Sequence, residues 1–267
     1  MKEKLKKIIW PIIYLVLIVN VCLSFILVFR SFYFKSIFVS GSSMEPTLHG
    51  ERGGNYADYG IIDDHKIAIN NLKRFQIVTT YYPFADSTDY VGGYVHGGNN
   101  VVDEIESSYK IKRVYGFPGE TIKFDVNDEW LAIAKAQSDY FSEEAQNAAR
   151  QAIQFYVKKN EGTGFVKQNL KFKRKIAIAS IEKYRDYVVE LGDDEYWVMG
   201  DNYSASSDCF SKNAPIYYDN IVGVLVAIEG TCHINLKTNK DVDVTDEGTK
   251  TYYYECVNRK RHFPTFY

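Results

Sequence analysis

Three short segments of this 267-residue chain hold residue types able to do chemistry. Ser40-Gly41-Ser42-Ser43-Met44-Glu45-Pro46-Thr47-Leu48 places hydroxyls beside a proline turn. Lys112-Arg113-Val114-Tyr115-Gly116-Phe117-Pro118-Gly119-Glu120 puts an amine on a β-prone run that enters a Pro-Gly turn. Met199-Gly200-Asp201-Asn202-Tyr203-Ser204-Ala205-Ser206-Ser207-Asp208 is a polar loop after an apolar strand. A serine hydroxyl attacks an acyl carbon only when a base takes its proton, and the five histidines are scattered. Taken singly, each segment also reads as ordinary structure: a turn, a basic strand end, a surface loop. Metal chemistry has little support, because no CxxC pair exists among the four cysteines, and nothing implies a cofactor.

The elements that must position these segments are legible around them. Residues 2–7 read KEKLKK, and residues 8–29 follow without a charged side chain, interrupted only by Asn20 and Ser24. That run is long enough to cross a bilayer as a helix, with Pro11 near its start. It exceeds the apolar core of a signal peptide, and no small-x-small site follows it. RSFYFKSIF comes instead, basic and aromatic like an interfacial belt. The four lysines ahead of the span leave residues 1–7 in the cytoplasm and send the remainder outside the cell membrane.

Beyond the anchor, short β-prone runs recur between Gly, Asp and Asn clusters: Ser36–Val39, Lys66–Ile69, Gln76–Tyr81, Tyr90–Val95, Lys110–Tyr115, Thr121–Phe124, Tyr187–Glu190, Tyr196–Met199 and Ile221–Ile228. The expected fold is mainly β. Residues 128–159 break the pattern: Ala145, Ala148, Ala149, Ala152, Phe155 and Tyr156 keep helical spacing, Ser142 caps the start, and Lys158 and Lys159 fall in the last turn. One or two helices are expected there, packed on a sheet. Cys232 and Cys256 can pair in an oxidising space, or both stay free. The net charge of -2 gives no sign of a nucleic-acid partner.

Together the three segments resemble the type I signal peptidases, membrane proteases with a Ser/Lys dyad. Ser43 to Leu48 matches that family's Ser-Met-x-Pro-Thr-Leu throughout. Lys112 to Glu120 is similar to Lys-Arg-Val-x-Gly-x-Pro-Gly-Asp, with Glu120 for Asp. Gly200 to Asp208 is similar to Gly-Asp-Asn-x-x-x-Ser-x-Asp, and Asn220-Ile221-Val222-Gly223 looks like the strand that follows. The order is also the family's.

The resemblance implies an anchor at 8–29 and an extracytoplasmic catalytic β domain over 30–120 and 191–267. An inserted cap subdomain at 121–190 then carries the helical segment 128–159. It implies Ser43 as nucleophile, Lys112 as general base, and Ser206 hydrogen-bonded to the Lys112 amine. Arg113, Asp201 and Asp208 would give structural support, with Arg113 and Asp201 as an ion pair. The position that supplies an oxyanion hydroxyl in some family branches is Gly41 here, which leaves a second backbone donor or a Ser42 or Ser40 hydroxyl for that role. The chain departs from the pattern at Gln76, Tyr203 and Phe210, where Asp, Arg and Arg are usual, so Asp208 lacks its usual arginine. The implied partners are preproteins with signal peptides cut at small-x-small sites, the lipid bilayer and the secretion translocon. Two other readings share these residues: a Ser/Lys self-cleaving regulator, and an idle membrane-tethered assembly factor or binding module on the same fold.

Overall fold

An apolar stretch without water to bond its backbone must satisfy every N–H and C=O internally, and a helix does so. In the computed structural model, which describes residues 2–50, 56–81, 110–159, 164–170, 172–238 and 252–267, helix α1 runs Lys2–Tyr33. Its segment Ile9–Val28 has a mean hydropathy of 2.7 and none of it is buried against protein. Asn20 disposes of its polar group within the helix, its amide donating to the Val16 carbonyl at 2.8 Å. Because helix begins already at Lys2, Pro11 lies inside it rather than near its start.

In chain order the strands are β1 Lys35–Phe38, β2 Ala57–Asp63, β3 Ile77–Thr80, β4 Lys110–Gly116, β5 Thr121–Val126, β6 Ile153–Lys158, β7 Val166–Lys167, β8 Tyr187–Glu190, β9 Glu195–Met199, β10 Ile216–Tyr217, β11 Ile221–Thr238 and β12 Tyr252–Phe266. Helices α2 Lys66–Asn70, α3 Asp128–Lys135, α4 Glu143–Ala152 and α5 Cys209–Lys212 lie between them. The protein is mainly β. One antiparallel sheet has the order β1-β2-β11-β3-β4-β9-β10, with β12 paired to β11; the other is β7-β6-β5-β8.

Alternation on β5 and β6 buries Ile122, Phe124, Val126, Ile153, Phe155 and Val157. These join Tyr115, Val198 and Trp197 of the larger sheet in one core. A second cluster, Val39, Met44, Leu48, Ile62, Ile77, Ile111, Leu225 and Ile228, lies beneath the Ser43 segment. A third holds Ala57, Tyr59 and the disulfide Cys232–Cys256, which joins β11 to β12.

Several elements differ from the sequence expectation. Lys66–Ile69 is helix, not strand: residues two apart then face different ways, so Ile67 is 75% exposed while Ile69 is buried. The helical segment is two short helices capped by Asn127 and Ser142, whose side chains accept from Trp130 and Ala145 N–H. It stops at Ala152 with Arg150 in its last turn. Phe155, Tyr156 and Lys158 belong to β6, which pairs with β5 from Ile153↔Val126 to Lys158↔Thr121. The β-branched and aromatic Ile153-Gln-Phe-Tyr-Val run gains more by completing that ladder than by extending the helix. β2 and β12 went unforeseen, and β11 continues ten residues past the expected Ile228 to Thr238. The expected strand Tyr90–Val95 lies outside the described residues.

Candidate active site

Ser43 sits in a tight turn after β1. Leu48 N–H donates to the Met44 carbonyl at 3.0 Å, and the Met44 and Leu48 side chains are fully buried beneath it. The loop after β9 closes over this turn. Asn202 N–H donates to the Ser43 carbonyl at 2.9 Å, and its side-chain amide donates to the Ser42 carbonyl at 3.0 Å. Gly200 makes the approach possible, because a Cβ there would overlap the Ser43 carbonyl oxygen and the Ser206 side chain.

Lys112 is central in β4, paired with Val78 of β3, and is 2% exposed. Its Nζ donates to Ser43 Oγ at 3.0 Å and to the Ile111 carbonyl at 3.1 Å. Burial is the largest influence on this amine and lowers its pKa to about 8. Asp208, Cys209 and Asp201 pull it back upward, while Lys110 lowers it further. The Ser206–Lys112 hydrogen bond expected from the sequence is not made: Ser206 Oγ is buried and without a hydrogen-bond partner. Ser42 is half-buried next to Ser43, its carbonyl accepting from Asn202.

Strand alternation sends Arg113 to the opposite face of β4. There its Nε donates to Asp201 Oδ1 at 2.8 Å, its Nη2 to Asp201 Oδ2, and its Nη1 to the Phe75 carbonyl at 2.7 Å. Asp201 is fully buried and also accepts from Thr47 Oγ1. The Arg113–Asp201 pair thus bonds the β4 strand, the post-β9 loop and the Ser43 turn to one another. Forked, doubly bonded geometry suits a buried pair of this kind.

Asp208 bonds backbone in place of the absent arginine. Its Oδ2 accepts from Gly200 N–H at 2.9 Å, and its Oδ1 accepts from Ser211 N–H at 3.1 Å as the cap of α5. Tyr203 and Phe210 flank Tyr184 in a stack, with ring centroids 5.5 and 4.0 Å away. A guanidinium still reaches this region, from Arg174, which lies over the Tyr203 ring. Gln76 accepts from Lys73 N–H through Oε1 and so closes the turn into β3. Glu120 accepts from Arg74 and from Phe117 N–H, which fixes the Pro-Gly turn.

Sequence reasoning missed the two-point grip of Asn202, although the residue adjoins Asp201 in the third segment. It also missed Phe172, whose ring lies 4.0 Å from the Arg113 guanidinium; nothing in the local sequence marks that residue. Among the described residues one group has metal-ligand character: Asp63, Asp64 and His65, with ligand atoms within 4.8 Å of one another. Lys35 pairs with Asp64 at 2.7 Å and His65 with Asp63 at 3.0 Å, so the group is bound up in the turn leaving β2.

A hydroxyl against a buried amine whose pKa is depressed is an arrangement for acyl transfer without histidine or metal. Residues 10–228 match the family described as signal peptidase, peptidase S26. The chain is 22% identical over 223 residues to signal peptidase I U of Bacillus subtilis (strain 168), covering 83% of this chain and 86% of that protein. It is 26% identical over 146 residues to signal peptidase I of Bacillus licheniformis, covering 52% of this chain and 63% of that protein.

Proposed function

We propose that this chain, which belongs to the signal peptidase family peptidase S26, is a type I signal peptidase that works through a Ser43–Lys112 dyad. The observation that carries the reading is the 3.0 Å contact of Lys112 Nζ with Ser43 Oγ in surroundings that depress the amine's pKa. A neutral Lys112 accepts the Ser43 proton as Oγ attacks the scissile carbonyl. The oxyanion is met by the Ser43 backbone N–H, with a Ser42 or Ser40 hydroxyl as second donor. The lysine proton passes to the departing amine, and the C–N bond breaks. Lys112 then deprotonates a water that hydrolyses the Ser43 ester and restores the enzyme.

The substrate in this reading is an extended preprotein segment added to a strand edge, with small side chains in shallow pockets around the cut. Helix α1 anchors the chain with its N-terminus in the cytoplasm, and the β domain outside meets signal peptides leaving the secretion translocon. Arg113, Asp201 and Asp208 position the Ser43 and Gly200 loops and do not touch substrate. Purified protein in detergent, incubated with a preprotein, tests this directly: the wild type releases a product beginning just after a small-x-small site, and Ser43→Ala releases none. Processing by Ser43→Ala at the wild-type rate refutes the dyad. A folded wild type that cuts no preprotein favours instead a membrane-tethered binding module on the same fold.

A further inference from the structure

A cavity of about 610 Å³ lies between α4, β6 and the chain leaving β7, a volume suited to a small molecule. Its walls carry four basic side chains, Arg150, Lys167, Lys173 and Arg174, against one acid, Glu143. Arg150 donates to Glu143 Oε1 at 2.8 Å and so takes up that acid. Among the described residues Lys167, Lys173 and Arg174 have no carboxylate partner. Lysines at an exposed rim need no explanation, but Arg174 does. It is only 3% exposed, and its Nε is buried without a hydrogen-bond partner. Its Nη2 donates to the Arg150 carbonyl at 3.0 Å and its Nη1 to Tyr203 Oη at 3.4 Å. Both partners are neutral. The buried carboxylate of the neighbouring loop, Asp201, is already forked to Arg113. A buried charge short of a counter-charge is costly.

The cavity backs onto the catalytic loop without opening on the dyad. Phe172 shares its wall and lies with its ring 4.0 Å from the Arg113 guanidinium, so the cavity is on the Arg113 side of β4, away from the Lys112 amine. The residue after Arg174 is bonded at both ends to the loop that closes over Ser43. Lys175 N–H donates to the Asp201 carbonyl at 2.8 Å, and the Lys175 carbonyl accepts from Tyr203 N–H at 2.7 Å. Asn202, between those two, holds both carbonyls of the Ser43 turn. Whatever steadies Arg174 therefore steadies the loop.

We infer that this cavity binds a small phosphate ester with a hydroxylated body, a sugar or polyol phosphate, and that its occupation steadies the Asp201–Tyr203 loop. A phosphate monoester concentrates close to two negative charges and three acceptor oxygens in one group, which suits three cations without carboxylates. Guanidinium and ammonium groups both bond such oxygens strongly. Gln151 and Asn169 also line the cavity and make no side-chain hydrogen bond among the described residues. Their amides each offer donors and an acceptor, the complement of hydroxyl groups. The inference is independent of what the dyad cuts, because neither the cavity nor its ligand touches Ser43 or Lys112.

Titration calorimetry on the full chain in detergent, at fixed ionic strength, tests the site with glucose-6-phosphate as probe. Glucose, inorganic phosphate and citrate serve as comparisons. The sugar phosphate binds saturably, more tightly than inorganic phosphate or citrate, and glucose does not bind. Lys167→Gln/Lys173→Gln, both exposed positions that leave the fold intact, weakens binding by about tenfold. Arg174→Gln abolishes it. Hydrogen exchange at 172–175 and 200–203 slows when the probe is bound and is unchanged in β2. No saturable heat from the probe overturns the proposal, as does binding that the lysine pair leaves at wild-type strength. Citrate binding as tightly as the sugar phosphate overturns the preference for a phosphate ester. Inorganic phosphate binding as tightly overturns the role of Gln151 and Asn169. Saturable binding with unchanged exchange at 200–203 overturns the link to the catalytic loop.

Discussion

The protonation of Lys112 sets the most direct test of the dyad. Only the neutral amine can take the Ser43 proton, and with a pKa of about 8 roughly a tenth of the enzyme is active at pH 7 and about nine-tenths at pH 9. An ordinary lysine would leave on the order of three molecules in ten thousand active at pH 7. The value of kcat/KM, measured in detergent on a peptide with a small-x-small site, therefore rises with pH as a single-group limb with its midpoint about pH 8. The same desolvation has a stability consequence. The amine falls from 10.5 unfolded to about 8 folded, so the folded state disfavours the proton that the unfolded chain holds. That penalty, about 3 kcal/mol, is fully present below pH 8 and fades as pH rises from 8 to 10.5. Lys112→Met is thus inactive yet more stable than wild type at pH 7, by about 1–3 kcal/mol, and the gain vanishes above pH 10.5. Thermal unfolding of both proteins across this range checks it. A limb centred near 6 that shifts when a histidine is replaced refutes the reasoning, as does a Lys112→Met protein destabilised at every pH.

Four further outcomes follow from the contacts. Asp208→Asn removes the largest of the charges that raise the Lys112 pKa, so the activity limb moves to lower pH; a limb that stays or rises contradicts the assignment. Asp201→Asn leaves Arg113 buried without its counter-charge and lowers stability by about 3–5 kcal/mol, read as a fall in the denaturation midpoint; a change within error shows the pair to be dispensable. Ser206→Ala deletes a buried hydroxyl without a partner, so stability holds or rises by about 1 kcal/mol. A fall in kcat/KM at unchanged stability would show that the hydroxyl turns to Lys112 once substrate is bound. Thiol labelling of the denatured chain finds two cysteines, Cys22 and Cys209, without reductant and all four with it; four without reductant exclude the bridge.

Reading order and residue type carried a large part of this protein. The uncharged run over 8–29 admits a membrane-crossing helix whatever surrounds it, because backbone bonding in hydrocarbon is a local matter. The Ser43, Lys112 and Asp201 segments were recognisable because each is contiguous. The Ser142 cap was legible too, since it needs only four neighbouring residues. Other features depended on partners distant in sequence. Residues 153–158 continue a helical pattern by spacing alone, and the full β5 ladder makes them a strand. Lys66–Ile69 alternates like a strand, but of its two isoleucines Ile69 is buried and Ile67 is exposed. Which groups meet was decided the same way: Asn202 on two carbonyls of the Ser43 turn, Phe172 under Arg113, and backbone amides on Asp208 in place of an arginine. The sequence by itself determined which side chains were available for chemistry. Tertiary structure alone decided that Lys112 is buried against Ser43, and so whether its amine can lose a proton near neutral pH, because desolvation comes from β3, β9 and the Ser43 turn packed around β4 and not from the residues beside it in the chain.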